Sequence, residues 1–220
     1  MRRFAAHGAG YAAHSVPWFP PLLAGLVSTL VVAARHGHEA AAPLEAVAIA
    51  LACGAGFAFD DPAFQVLAAS PTPLWRRRLL RLLVVMPPTV LLWLLLLRWQ
   101  GTASSQETLA LAAQFAGLVG LSLGVAGVAS RSSSRGVGGI AVAPTLFVAL
   151  ILSTTLPPRW RPLPLGDIPG GWLPIYLRWT AAAVIGALIS LLSSRDPATS
   201  VRSRLARRVR VPSFSRTLRA

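Results

Sequence analysis

The chain has 220 residues, 54% of them apolar and 13% charged, against about a quarter charged in an ordinary soluble domain. That balance argues against a free globule. The formal charge of +14 comes from 21 basic residues, every one of them Arg. Without Lys there is no Walker A phosphate loop, which needs Gly-Lys-Ser/Thr, and no Schiff-base or lysine-nucleophile chemistry. Any ATP used must be bound by another chain. The single Cys53 excludes an intrachain disulfide and a multi-cysteine metal site, and its apolar setting predicts a packing role.

Six apolar runs approach the roughly 20 residues that cross a hydrocarbon core of about 30 Å: Val16 to Ala34, Pro43 to Phe59, Leu79 to Leu97, Thr108 to Ala129, Val137 to Leu156 and Pro174 to Leu192. The predicted architecture is all-α, a polytopic bundle of six transmembrane helices. Residues 1–15 form a cytoplasmic N-terminal segment, 16–192 the membrane domain and 193–220 a basic cytoplasmic tail. The first run follows Arg2 and Arg3 but is too long for a secretory signal and has no clean small-x-small cleavage site after it.

Arg2, Arg3, Arg76, Arg77, Arg78, Arg81, Arg131, Arg135 and eight tail residues from Arg195 to Arg219 fall on one predicted side, and Arg35, Arg98, Arg159, Arg161 and Arg178 on the other. Positive charge is retained in the cytoplasm, so this asymmetry places both termini inside. Trp93, Trp99, Trp160, Trp172 and Trp179 are expected at the outer headgroup zone, Trp18 and Trp75 at the inner one.

Between the second and third runs the chain reads FDDPAFQVLAASPTPLWRRRLLRLL, Phe59 to Leu83. Asp61 can cap a short helix with Pro62 in its first turn. Phe64, Val66, Leu67 and Ala68 make that helix partly apolar, and Ser70-Pro71-Thr72-Pro73 ends it, since proline has no amide to donate. Arg76, Arg77 and Arg78 then anchor the third span at the lipid headgroups. The segment 60–78 thus reads as a short surface helix, a stiff elbow and a positively anchored span, or as a plain interfacial connector.

Pro87 and Pro88 in the third run and Pro144 in the fifth are expected to kink their helices. In the fourth run Ala113, Gly117, Gly120, Gly124 and Gly127 recur at steps of four and three, sharing one helical face. Small residues there admit another helix at close range, either within the bundle or at a subunit seam. The loop Pro157 to Leu173 is dense in Pro and Gly, which predicts broken turns. In the tail, Arg202, Arg204, Arg207, Arg208 and Arg210 are interleaved with apolar residues, a pattern that binds anionic lipid at about 1 kcal/mol per basic residue. With Phe214 as the one stacking ring there, nucleic acid is not an expected partner.

The carboxylates Glu39, Glu45, Asp60, Asp61, Glu107, Asp167 and Asp196 all fall away from the middle of the predicted spans. Ion-coupled pumps place a charge inside the bundle, so a proton-driven antiporter is disfavoured; Gln114, Thr89, Ser122 and Thr145 are the deepest polar groups expected. No catalytic constellation is present. His36, His38 and Glu39 read as a solvated loop and not as a metal site.

Six spans with both ends inside, and VLAASPTPLWRRRLLRLL after the second, resemble the type-2 integral membrane permeases of ATP-binding-cassette exporters. The family loop has a leucine-rich stretch, Ala/Ser-x-Pro, a short gap and a basic residue entering span three. Leu67, Ala69, Ser70, Pro71, Pro73 and the arginines match it. Where the family often has Gly-x-Leu-Glu, this chain has Asp61-Pro62-Ala63-Phe64. Length and span count are also similar to the haem-exporter permeases of cytochrome c maturation. The resemblance implies a coupling helix docked on a separate ATPase subunit through Phe64, Gln65, Leu67, Ala69, Ser70, Pro71, Thr72, Pro73 and Leu74. It further implies a homodimer or a pair with a similar permease, and a bacterial cytoplasmic membrane location. ATP and magnesium would sit on the partner, with no cofactor on this chain. The alternative is a non-transporting scaffold or accessory subunit whose basic tail recruits lipid or acidic partners.

Overall fold

The computed structural model describes residues 16–34, 41–60, 73–100, 105–133, 137–155 and 172–194. Every regular element among them is helical. The α-helices are α1 (Phe19–Ala34), α2 (Ala41–Gly56), α3 (Leu74–Gln100), α4 (Ser105–Ser132), α5 (Val142–Thr155) and α6 (Trp172–Ser193). Single 3-10 turns, Phe57–Phe59 and Gly139–Ala141, extend α2 and precede α5.

All six predicted runs are helical, but their lengths differ from expectation. Three helical stretches, Leu74–Trp99, Ser105–Ser132 and Leu173–Ser193, are long and apolar enough to cross a membrane. The other three are shorter apolar helices, Phe19–Ala34, Leu44–Phe59 and Gly139–Leu152. The outward faces are apolar: Leu22, Leu26, Leu30, Leu91, Leu95 and Leu188 are exposed, while Asp60, Arg78 and Arg81 are buried. Charge inside and leucine outside is the arrangement a hydrocarbon solvent favours.

Helix α4 is the centre. Its first turn carries Glu107 and its last Arg131, each complementing the helix dipole at its end. It is the most buried of the three long helices, although Leu109 and Val128 remain exposed. It packs most extensively on α6 and next on α2, while α2 also touches α1, α3 and α5. The Trp93 ring stacks on Phe115 with centroids 4.9 Å apart, joining α3 to α4.

The small-residue face of α4 meets α6 within the same chain. A Cβ on Gly120 would lie 2.9 Å from the Ala183 carbonyl oxygen, and one on Gly124 would lie 3.3 Å from that of Gly186. Gly117 faces Trp179, and Gly127 faces Ser193 and Phe59. On α6, Gly186 answers Gly120, backbone against backbone. Ala113 is half-buried beside the core. The two helices approach this closely because neither presents a side chain at the crossing.

Two expectations are corrected. Trp93 and Trp179 are buried core residues and not members of an interfacial belt; among the described residues Trp75 and Trp99, at opposite ends of α3, are exposed. Pro144 lies in the first turn of α5, where an amide has no intrahelical acceptor, so it imposes no kink. Pro87 and Pro88 lie inside α3, which continues past them to Gln100, and Thr89 Oγ1 donates to the Val85 carbonyl at 2.8 Å.

Gly186→Ala should drive a methyl into the Gly120 backbone and cost about 1–3 kcal/mol, seen as a lower thermal midpoint in detergent. Gly25→Ala, whose methyl would meet the flexible tip of Leu92 at 3.1 Å, should leave the midpoint nearly unchanged.

Candidate functional site at the base of the loop

At one end of the bundle, the last residues of α2, α4 and α6 meet the first of α3 and α5. After the turn Phe57–Phe59 the Asp60 backbone is extended (φ −71°, ψ 125°). Asp60 Oδ1 accepts the amides of Gly138 and Gly139, each at 2.6 Å. Those are the leading amides of the turn that enters α5, so Asp60 caps a helix start that is remote in sequence.

The glycines make room for this. A Cβ on Gly139 would come within 2.9 Å of Phe57 Cα, and one on Gly138 would press on the Ala126 carbonyl. Burial pushes the Asp60 carboxyl above the usual carboxylate range, while the two amides and the Arg81 charge pull it back down.

Two arginines of α3 complete the clasp. Arg81 is 1% exposed and donates from Nη1 to the Asp60 carbonyl at 2.9 Å. Asp60 and Arg81 flank the segment 61–72, so this bond ties the chain entering that segment to the helix leaving it. Arg78 reaches further. Its Nη1 donates to the Ser193 carbonyl at 2.9 Å and to Ser194 Oγ at 3.3 Å, and its Nη2 to Ser130 Oγ. The guanidinium also lies over the Phe59 ring, 4.8 Å from its centroid.

Arg131 Nε adds a second bond to the Ser193 carbonyl, 2.8 Å long. The C-terminal ends of α4 and α6 carry the negative poles of their dipoles, and the π-face of Phe59 is also attractive to a cation. One buried guanidinium is therefore stabilised by helix ends and hydroxyls.

The predicted headgroup arginines divide. Arg76 is exposed, 5.3 Å above the Trp75 ring, and Arg77 is half-buried. Arg78 is corrected: at 4% exposure and bound to α4 and α6, it points into the protein and not to lipid. Leu74 is corrected too, being buried as the first residue of α3, which removes it from any docking surface. Pro73 is half-buried and its carbonyl accepts the Arg76 amide at 3.1 Å, opening the helix.

Phe64, Gln65, Leu67, Ala69, Ser70, Pro71 and Thr72 lie outside the described residues, as do Arg202, Arg204, Arg207, Arg208, Arg210, His36, His38 and the loop 157–171. Among the described residues no group of three His, Cys, Asp or Glu could hold a metal.

Reasoning from sequence did not single out Asp60, Ser130, Gly138, Gly139, Ser193 or Ser194, and it reads Arg81 only as one of the four arginines that open the third span. A weak signal existed: a carboxylate ends one apolar run while a Gly-Gly pair opens another. Counting arginines by side identifies a face of the membrane, but it cannot tell which guanidinium turns inward.

Arg78→Lys keeps the charge but loses the planar fork that spans three partners. It should cost about 1.5–3 kcal/mol in thermal unfolding, whereas Arg76→Ala should stay within about 0.5 kcal/mol. In comparisons with known proteins, no family model, curated protein or solved structure matches the chain.

Proposed function

We propose that this chain is the membrane-spanning permease subunit of an ATP-binding-cassette exporter in a bacterial cytoplasmic membrane, driven by a separate ATPase docked on the segment 61–72. The resemblance of VLAASPTPLWRRRLLRLL to the coupling loop of type-2 permeases supports it, as do the apolar helices. The observation that carries it is the clasp: the Arg81 bond to Asp60 closes the base of the loop, and Arg78 and Asp60 link that base to α4, α5 and α6.

A load on the loop therefore has a short, hydrogen-bonded route to three helices. Buried packed contacts deform little, so displacement of the loop is passed on as motion of helix ends. The nucleotide supplies the bias by closing the ATPase pair, and it shifts the inward and outward states by its differential affinity for them. With both ends of the bundle oriented as the arginine distribution requires, the clasp and the loop face the cytoplasm. The permease works as a homodimer or with a similar permease, and ATP and magnesium stay on the ATPase.

The test is copurification from detergent with a cassette ATPase encoded beside this chain. Leu67→Asp with Pro71→Asp should abolish the association while the variant stays monodisperse. Arg81→Gln should keep the ATPase bound but lose the chain's effect on its hydrolysis rate. An ATPase that hydrolyses ATP identically with and without the intact chain would refute the proposal and favour a scaffold role.

A further inference from the structure

A second polar cluster lies at the end of the bundle opposite the clasp. Glu45, in the second turn of α2 and so away from the middle of that helix, is nonetheless only 4% exposed. The Gln114 amide of α4 lies against its carboxyl. Even so, Glu45 Oε2 and Gln114 Nε2 have no partner within hydrogen-bond distance among the described residues, and the same holds for Trp93 Nε1 on α3 and Ser28 Oγ on α1. All four side chains are buried, and each sits within about 14 Å of the same end of its helix by residue count.

The other interior hydroxyls differ. Thr89, Ser122 and Ser190 each donate to the carbonyl four residues back in their own helix, at 2.8 Å. Glu45, Gln114, Trp93 and Ser28 thus differ from these hydroxyls in holding a buried polar atom without a hydrogen-bond partner among the described residues.

Among the described residues of α2 and of the helices packed on it, few charges could balance an ionised Glu45. Helices α1 and α5 contain no titratable side chain, and α2 offers only Cys53 besides Glu45. On α3, Arg98 lies in the last turn and is exposed, while Arg76, Arg77, Arg78 and Arg81 are at the clasp end. On α4, Glu107 stands in the first turn and Arg131 in the last. An isolated carboxylate inside a close-packed apolar bundle is strongly disfavoured and takes up a cation instead. The close burial of Glu45 and Gln114 suits the smallest cation.

We infer that Glu45, with Gln114 against it, forms a proton-binding site within the helix bundle. Release of the proton requires the bundle to open, so occupancy of the site is coupled to helix rearrangement. No co-reactant is involved, because the proton comes from solvent and returns to it.

Dicyclohexylcarbodiimide adds the O–H of a protonated carboxylic acid across its C=N bond, and its apolar body partitions into membranes. The full chain in detergent, treated at neutral pH and mapped by peptide mass spectrometry, should carry the adduct at Glu45. Labelling should decline as pH rises, a water-soluble carbodiimide should leave Glu45 untouched, and Glu45→Gln should lose the adduct. Folding of the wild type is unaffected by design, so the readout does not depend on the variant. Absence of an adduct at Glu45 under these conditions, or equal labelling by the water-soluble reagent, would overturn the inference. Neither outcome bears on whether an ATPase docks on 61–72.

Discussion

A guanidinium placed between the ends of two helices organises the cytoplasmic half of this molecule as we propose it is oriented. Arg78 of α3 binds the end of α6 through Ser193 and Ser194 and the end of α4 through Ser130. Helix C-termini expose carbonyls that lack intrahelical donors, and in an apolar medium each such group is costly to leave unmet. The buried Arg78 cation meets the Ser193 carbonyl together with the hydroxyls of Ser194 and Ser130. Asp60 does the complementary task at a helix N-terminus, accepting two amides ahead of α5. The charged residues of this end are thus spent on backbone termini of opposite polarity.

This use of charge explains how a chain of such apolar composition can hold an irregular, multi-helix junction. The α4–α6 pair packs through glycine and alanine along its crossing, so it depends on backbone proximity and gains little from large side chains. Arg78 and Arg131 fasten the same pair at its end by gripping the Ser193 carbonyl. Close packing along the helices and hydrogen bonding at their termini reinforce one another, and both converge where the segment 61–72 begins and ends.

Much of the fold was legible in the sequence because hydrophobic length is a strong signal. All six apolar runs are helical, and Gly117, Gly120, Gly124 and Gly127 share the face their spacing implies. Tertiary choices were not legible. Trp93 and Trp179 have the composition of interfacial anchors, yet a stacking partner and a glycine notch draw them inside. Pro144 has no kinking effect because the Asp60 cap delays the start of α5 to Val142. Arg78 and Arg76 are two residues apart and indistinguishable by charge count, but on a helix they point to different faces. Glu45 near the edge of an apolar run gave no sign that Gln114 would approach it from α4.

The central claim is that the clasp carries motion from the loop to the far ends of the helices. It is tested most directly by the distance between spin labels at Arg98→Cys and Arg178→Cys, exposed positions on α3 and α6, in a Cys53→Ser background reconstituted with the partner ATPase. ATP trapping should shift that distance, and Arg81→Gln should erase the shift while the ATPase stays bound. A shift of equal size in the Arg81→Gln variant would contradict the account.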